Sequence, residues 1–394
     1  MIDTIINNKQ IEIYLQPIVS IKDKKVFAYE ALTRAHDENN DFISPLYLFE
    51  QATKERLSCK LDNYVRELAL EKFYKYYQED KSVLLFLNFE SSIIENDMYD
   101  DFISKVYKYN IATSNIVIEI KEDKIKDAQA LKKFISKYKK HGFVIAIDDF
   151  GTSYSSFDRL EFIQPDIVKV DRSIIYNVHD NFINSEILTA IANMCHNIGA
   201  IVLAEGVEDR DEILNCMRKD IDIFQGYWFS RPMKDIGTHI QTEIIESINY
   251  VGRKNTQIIK ESISKKQLLL ENSKLLSKKV LNILESYSIN EMTNVNEVFL
   301  ENEKLEAVYI IGFDDGTQVG KTFMNAAERY LYKPTSSGHD HSLRDYYFIA
   351  KDSTRGDYLS NRYISKASGN MCRTYSSKIR LSDECYIVCF DILD

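Results

Sequence analysis

The sequence predicts an α/β fold, a modified TIM (β/α)₈ barrel, followed by connecting helices and a small α+β domain. Two observations carry this prediction. From residue 80 onward, short runs of β-branched and aromatic residues alternate with longer helical segments, which is typical of βα units around a parallel sheet. Six of these runs also end in a polar residue. Because the carboxyl ends of barrel strands face the active-site mouth, these polar residues are expected to converge there.

Apart from Asp222, the six runs are apolar, as expected for parallel strands that are buried on both faces. They are 83–87, 116–118, 143–147, 167–168, 200–204 and 221–224, and the polar residues that follow them are Asn88, Glu119, Asp148 with Asp149, Lys169, Glu205 and Gln225. A single carboxylate in such a position is often only a helix N-cap. Six coincidences together favour a shared functional site.

The barrel pattern ends near Pro232 and Met233. Residues 240–290 then carry apolar residues three and four apart without proline, which predicts two helices broken near Gly252. Past residue 300 the pattern changes to aromatic-rich strands with turn signals, such as AVYIIGFDDGTQVG, RDYYFIA, RYISKASGN and ECYIVCFDI. We therefore predict a barrel at 1–238, a helical connector at 239–294 and an α+β domain at 295–394.

Composition narrows the class of protein. The net charge of −10 over 394 residues argues against binding to duplex nucleic acid or anionic lipid, because both require a basic surface. The N-terminus has no signal-peptide pattern and no run of 18 apolar residues occurs, so we expect a cytoplasmic protein without membrane insertion. The six cysteines show no CxxC spacing, which favours reduced thiols over a zinc site or a disulfide framework.

Eight motifs in residues 1–235 carry a resemblance to a known family. They are QPIV from Gln16, YEALTR from Tyr29, LNFE around Asn88, EIKE from Glu119, DDFGTSYSS from Asp148, KVDRS from Lys169, AEGVE from Ala204 and QGYWFSRP from Gln225. In this order and at this spacing they resemble an EAL domain, the barrel of bacterial cyclic di-GMP phosphodiesterases. The GGDEF signature of the enzymes that synthesise this messenger is absent.

The chemistry of that reaction explains the residue types. A phosphodiester is a poor electrophile and water is a poor nucleophile, and two divalent cations address both problems. Mg²⁺ and Mn²⁺ prefer oxygen ligands from carboxylates and amides. The resemblance implies that one cation is held by Glu30, Asn88, Glu119 and Asp148, and a second by Asp148, Asp149 and Glu205.

The resemblance also assigns further roles. Lys169 would lie beside the attacking water, although an ion pair with the acidic cluster is an alternative, and Gln225 would complete the catalytic set with Glu30 and Glu205. Gln16 and Arg34 would contact the dinucleotide; the alternatives are a hydrogen bond to a loop and a surface ion pair. Glu122 and Glu208 would support the loop after Asp149. Two residues near this loop depart from the family pattern. Lys121 stands where many members have threonine, and Ser153 stands where many have glycine.

The expected function is hydrolysis of cyclic di-GMP to linear pGpG by a homodimer, regulated by the C-terminal domain. That domain resembles PAS or Cache-like sensors, and the sequence does not identify the small molecule that it would bind. The candidates for lining its pocket are Arg344, Tyr346, Tyr363 and Thr374. His339 and His341 lie in a polar loop and supply too few ligands for a closed zinc site. Lys121 and Ser153 leave a second reading open, a non-catalytic receptor for cyclic di-GMP.

Overall fold

The chain forms two units in the computed structural model, Met1–Ile258 and Ile259–Asp394. The structure describes residues 1–90, 94, 102–121, 127–152, 157–286, 299, 303–325, 333–381 and 383–393. Within these residues, no helix combines the length and the apolar character needed to cross a membrane.

A closed barrel forms the first unit, as the sequence predicts. Its strands are β1 Ile11–Ser20, β2 Lys25–His36, β3 Phe42–Ile43, β4 Leu84–Asn88, β5 Ile116–Lys121, β6 Val144–Phe150, β7 Ile167–Val170, β8 Ile201–Glu205 and β9 Ile223–Gln225. Within the described residues, eight strands close the ring in the order β1-β9-β8-β7-β6-β5-β4-β2, because β1 also pairs with β2. β1 is antiparallel to both neighbours, and β2 and β4 to β9 run parallel. One reversed strand thus modifies the ordinary parallel barrel.

Helices surround this barrel and bury the outward side chains of its strands. They are α1 Ile2–Asn7, α2 Pro45–Lys54, α3 Ser58–Glu79, α4 Phe102–Lys108, α5 Ala128–Lys140, α6 Phe157–Ile163, α7 Arg172–Ile175, α8 Phe182–Asn197 and α9 Arg210–Met217. Side-chain caps fix where several of them begin. Asp171 accepts a hydrogen bond from the backbone of Ser173 at the start of α7, and Asp209 forms a capping box with Glu212 at the start of α9.

The predicted break near Gly252 is wrong. A single helix, α10, runs from Thr238 to Ser286. A glycine inside a helix costs only about 1 kcal/mol relative to alanine. The neighbouring turn buries Ile248 and Val251, and this apolar burial outweighs that cost.

An antiparallel sheet forms the second unit. Its strands are β10 Leu305–Gly312, β11 Gln318–Met324, β12 Asp357–Leu359, β13 Tyr363–Ile364, β14 Met371–Leu381 and β15 Glu384–Leu393, in the order β11-β10-β15-β14-β12, with β13 beside β14. The segment RDYYFIA is not the strand that its aromatic residues suggest. It begins helix α11, Asp345–Asp352, because Tyr347 and Ala350 are buried at helical spacing.

Candidate active site

The inner surface of the barrel consists of two layers of side chains. The lower layer is apolar and takes one residue from each closing strand: Ile18, Ala28, Phe86, Val117, Ala146, Ile167, Leu203 and Ile223. These side chains fill the barrel. Because side chains on a strand alternate between its two faces, the residue two positions further along each strand faces the same interior.

The upper layer is polar and lies two residues beyond the lower one on every strand. It consists of Glu30, Asn88, Glu119, Asp148, Lys169, Glu205 and Gln225, with Gln16 two positions before Ile18 on the reversed strand. All the strand-end residues predicted from the sequence, apart from Asp149, belong to this layer. A period of two along each strand therefore places eight polar side chains at one mouth of the barrel.

Asp149 reaches the same mouth of the barrel through a β-bulge. Residues 148 and 149 together lie opposite a single residue of β7, because the register shifts between Ile147 and Phe150. Asp149 adopts the left-handed conformation, with φ of 55°. Consecutive strand residues normally point to opposite faces, and the bulge re-aims the second one. As a result, Asp148, Asp149 and Glu205 each present an oxygen within 4.8 Å of the others.

Lys169 lies at the centre of the carboxylates. Its fully buried Nζ is 2.6 Å from Glu119 Oε1, 3.0 Å from Asp148 Oδ1, 3.4 Å from Glu30 Oε2 and 3.5 Å from Glu205 Oε1. A buried ammonium is costly unless it is paired, and here four carboxylates surround it. The ion pair between Lys169 and the acidic cluster, which the sequence suggested as an alternative role for this lysine, is thus present.

Three amides hold this cluster in place. Asn88 Nδ2 donates to Glu119 Oε2 at 2.8 Å and to Glu30 Oε1 at 3.1 Å. Gln225 Nε2 donates to Glu30 Oε2 at 2.6 Å and to Gln16 Oε1 at 3.2 Å. Gln16 Nε2 in turn donates to the carbonyl of Ser230 at 3.2 Å. Gln225 therefore acts directly on Glu30 by fixing the orientation of its carboxylate.

Negative charge exceeds positive charge in the cluster. Burial, together with Glu30, raises the pKa of Glu119 well above its usual range despite the opposing effect of Lys169. Burial also raises the pKa of Glu205 to about 8, with further contributions from neighbouring carboxylates. Burial opposes ionisation of Asp148 too, but Lys169 and Lys121 lower the pKa of this group. Among the described residues, five carboxylates face two ammonium groups at this mouth.

These residues fit divalent cations. The buried Oε2 of Glu205 and the buried Oε1 of Gln225 accept no hydrogen bond within the described part of the chain. The donors are carboxylate and amide oxygens, the ligands that Mg²⁺ and Mn²⁺ prefer. Asn88 directs its nitrogen at the carboxylates, and a half-turn of its amide presents the oxygen instead. Excess buried negative charge and free acceptor atoms both favour cation binding.

Lys121 occupies the edge of this acidic cluster. Its Nζ is 2.5 Å from Asp149 Oδ2 and 3.5 Å from Asp148 Oδ2. Although burial opposes this, both carboxylates raise the pKa of Lys121, so its positive charge is firmly held. The ammonium therefore contacts two of the three carboxylates, Asp148 and Asp149, whose oxygens lie close to one another and to an oxygen of Glu205.

Replacing Lys121 with threonine is expected to strengthen Mn²⁺ binding by roughly tenfold. Two charges about 4 Å apart interact by ~1–4 kcal/mol in a solvated environment, and about 1.4 kcal/mol corresponds to one factor of ten. Isothermal titration calorimetry with Mn²⁺ measures the change. The matched control is Lys132→Thr, since Lys132 is an exposed lysine of α5. Equal Mn²⁺ affinity in both variants would show that Lys121 does not compete for the cluster.

The remaining predicted residues lie in different places. Arg34 follows Glu30 by four positions on β2; its Nη1 donates to the carbonyl of Thr33 at 2.8 Å, and its guanidinium lies 5.5 Å from the ring centre of Tyr14. It makes no ion pair within the described residues. Glu122 and Ser153 lie outside the described residues.

Glu208 binds Arg172, a residue that the sequence analysis missed. Arg172 Nη2 is 2.9 Å from Glu208 Oε2, and Nη1 donates to the carbonyl of Gly206. Arg172 thereby connects the turn after β7 with the turn after β8, next to Lys169 and Glu205 respectively. The only sequence signal was its position within KVDRS, directly before a short helix.

The part of the chain that forms this polar layer matches a protein-family model. The model described as EAL domain matches residues 1–232. The chain belongs to the EAL domain family. The EAL triplet itself is Glu30, Ala31 and Leu32 on β2, so the glutamate that names the family is the one that Gln225 and Asn88 hold in this barrel.

Relatives in this family match either the whole chain or its barrel. The EAL-domain containing protein YkuI of Bacillus subtilis (strain 168) is 24% identical over 98% of this chain and 95% of its own length. Its crystal structure, in complex with substrate c-di-GMP and calcium, gives a TM-score of 0.78 at 22% identity over 100% of this chain and 99% of that chain. At this identity the likeness shows a shared fold, and that fold includes the C-terminal unit.

Two other EAL proteins match the barrel. The cyclic di-GMP phosphodiesterase PdeF of Escherichia coli (strain K12) is 28% identical over 58% of this chain and 31% of its own length. The structure of Klebsiella pneumoniae BlrP1 as a manganese/cy-diGMP complex gives a TM-score of 0.52 at 26% identity, over 57% of this chain and 56% of that chain.

Proposed function

We propose that this chain is a cyclic di-GMP phosphodiesterase that hydrolyses its substrate to linear pGpG with two divalent cations. The observation that carries the proposal is the upper polar layer, in which a fully buried Lys169 lies among the carboxylates of Glu30, Glu119, Asp148 and Glu205. Membership of the EAL domain family and the names of its relatives support the substrate and the reaction.

The cations proposed here are Mg²⁺ or Mn²⁺. Glu30, Asn88, Glu119 and Asp148 would hold one of them, and Asp148, Asp149 and Glu205 the other. When bound, they would lower the pKa of an attacking water and place positive charge beside the phosphate. The unpaired Oε2 of Glu205 and the surplus of carboxylates over ammonium groups support this assignment.

The chain's own residues position the reactants. The ammonium of Lys169 would orient the attacking water through a hydrogen bond and stabilise the negative charge that develops as it attacks. Gln225 holds Glu30 in its orientation through a hydrogen bond of 2.6 Å. Gln16, which is joined to Gln225, and Arg34 would bind the dinucleotide, and the guanidinium of Arg34 suits two phosphate oxygens at once.

Further parts of the proposal concern the whole protein. We expect it to act in the cytoplasm as a homodimer. The C-terminal unit would be a PAS or Cache-like sensor that regulates the barrel. Glu122 and Glu208 would support the loop after Asp149, and Glu208 forms an ion pair with Arg172 at the start of α7.

Incubation of cyclic di-GMP with the protein and Mg²⁺ or Mn²⁺ is expected to yield linear pGpG, resolved by chromatography. EDTA should stop product formation and an excess of metal should restore it, since the oxygen ligands alone do not supply the positive charge that the reaction needs. Intact dinucleotide, retained by the protein with measurable affinity, would contradict hydrolysis. That outcome would indicate that the chain is a non-catalytic receptor for cyclic di-GMP, the alternative hypothesis drawn from the sequence.

A further inference from the structure

A cavity of about 350 Å³ lies within the second unit. It is bounded by β10, β13 and β15, by the segment 339–346 at the start of α11, and by the segment that follows β13. This volume is within the range of small-molecule sites. Its lining is not uniform, because its floor, its wall and its rim carry different chemical groups.

A buried carboxylate forms the floor. Asp391 is 2% exposed and accepts hydrogen bonds from the hydroxyls of Thr374 at 2.8 Å, Ser365 at 3.1 Å, Tyr363 at 3.2 Å and Tyr309 at 3.3 Å. All four donors are neutral. No cationic side chain lies within ion-pair distance of Asp391 in the described part of the chain. A buried carboxylate without a counter-charge is costly, and burial accordingly raises the pKa of Asp391.

Aromatic rings form the wall above this carboxylate. Tyr346 and Tyr363 stack with their ring centres 6.4 Å apart, and Tyr309 stacks on His341 at 5.4 Å. His341 is held by hydrogen bonds to Tyr346 and Gln318. Burial lowers the pKa of His341 to about 4, so this ring is neutral and supplies no positive charge to Asp391. Aromatic faces beside a carboxylate attract an ammonium group.

Basic side chains lie at the rim of the cavity, in contrast to the carboxylate on its floor. Arg344, Arg362 and Lys366 are exposed at the opening, with Asp345 as the acidic residue among them. The guanidinium of Arg344 has no ion-pair partner within the described residues. A guanidinium at this position is suited to two oxygens of a carboxylate. The cavity is therefore acidic and aromatic inside and basic at its mouth.

We propose that this cavity binds a small zwitterion of the amino-acid class, with its ammonium group against Asp391 and the aromatic wall and its carboxylate against Arg344. The ligand's ammonium supplies the counter-charge that Asp391 lacks within the described residues, and its carboxylate pairs with the guanidinium of Arg344. The site is separate from the barrel mouth in the sequence, and its occupancy does not depend on the phosphodiesterase activity proposed above.

The test uses the full chain and three kinds of probe. These are the common α-amino acids with γ-aminobutyrate as zwitterions, diaminobutane as a probe with ammonium groups only, and succinate as a probe with carboxylates only. Thermal unfolding followed by fluorescence detects binding as a rise in Tm, and isothermal titration calorimetry gives the affinity. At least one zwitterion is expected to bind, and to bind more tightly than both single-charge probes. Tighter binding of diaminobutane or succinate, or no binding by any zwitterion at millimolar concentration, would overturn the proposal.

Two variants locate the binding. Arg344→Ala is expected to weaken binding of the zwitterion roughly tenfold or more, because it removes a hydrogen bond between two charged groups. Arg355→Ala is the matched control, since Arg355 is an exposed arginine of the same unit that does not line the cavity. Asp391→Asn tests the floor, with circular dichroism to confirm folding. Equal affinities in the Arg344 and Arg355 variants would place the ligand elsewhere and overturn the assignment.

Discussion

Replacing Lys169 with methionine is expected to lower kcat for cyclic di-GMP by roughly 10²–10⁴-fold, the range for loss of a positioned proton-transfer or charge-stabilising group. Methionine preserves much of the apolar stem but removes the ammonium that contacts four carboxylates at 2.6–3.5 Å. Binding of the dinucleotide, measured as Kd, is expected to change much less than kcat, because Lys169 is fully buried and Gln16 and Arg34 are the residues proposed to bind the dinucleotide. The measurement is the initial rate of pGpG formation at saturating substrate and metal.

The matched control for this variant is Lys22→Met. Lys22 pairs with Asp220 at the opposite end of the barrel and is exposed, so its loss is expected to leave kcat within about twofold and stability within about 1 kcal/mol. A near-normal kcat in the Lys169 variant would show that Lys169 takes no part in the reaction. Its role would then be that of a counter-charge for the acidic cluster.

Glu30→Gln is expected to lower the rate of pGpG formation roughly thousandfold, because loss of several kcal/mol of charge stabilisation corresponds to a factor of that size. Glutamine keeps the shape of the side chain and can still accept the hydrogen bond that Gln225 donates to Glu30. It removes one of the carboxylates around Lys169. Calorimetric titration with Mn²⁺ should show weaker metal binding in parallel with the lost rate.

Glu67→Gln provides the control for this substitution. Glu67 lies on α3 and pairs with Lys105 at 3.2 Å on the outside of the barrel. Its removal is expected to change neither Mn²⁺ affinity nor the rate by more than about twofold, since surface ion pairs contribute little. A Glu30 variant with unchanged Mn²⁺ affinity would show that this carboxylate is not a metal ligand.

Much of the candidate site follows from strand periodicity alone. An apolar residue such as Phe86 or Val117 inside the barrel is followed two positions later by Asn88 or Glu119 at the mouth. The alternation of side chains along a strand makes that relation unavoidable once the strand is recognised. Consequently the sequence could identify the ring of polar residues without any knowledge of distances.

Other parts of the site depend on backbone detail that a local pattern does not encode. Asp149 reaches the mouth only because a bulge and a left-handed conformation turn it inward. Arg172 connects two turns that are 34 residues apart along the chain. Lys121 was noted as a departure from the family pattern, but its contact with Asp149 requires the relative placement of β5 and β6.

Helical segments in the second half of the chain were harder to predict. Gly252 suggested a break, yet burial of the adjacent apolar residues keeps α10 continuous. The aromatic run around Tyr347 suggested a strand, although burial of side chains three positions apart makes it a helix. The sequence suggested Arg344, Tyr346 and Tyr363 as pocket residues, and they do line the cavity of the second unit. Tyr309, His341 and Asp391 come from distant positions in the sequence, and their place in this cavity was not predicted.

A single-turnover reaction started by metal is the most direct test of metal-dependent hydrolysis by this barrel. Metal-stripped protein, in excess over cyclic di-GMP, is mixed with the dinucleotide, and Mn²⁺ is then added while the nucleotides are followed by chromatography. Cyclic di-GMP is expected to stay intact before the addition and to be converted completely to linear pGpG afterwards. Dinucleotide that remains bound and intact in the presence of Mn²⁺ would contradict metal-dependent hydrolysis.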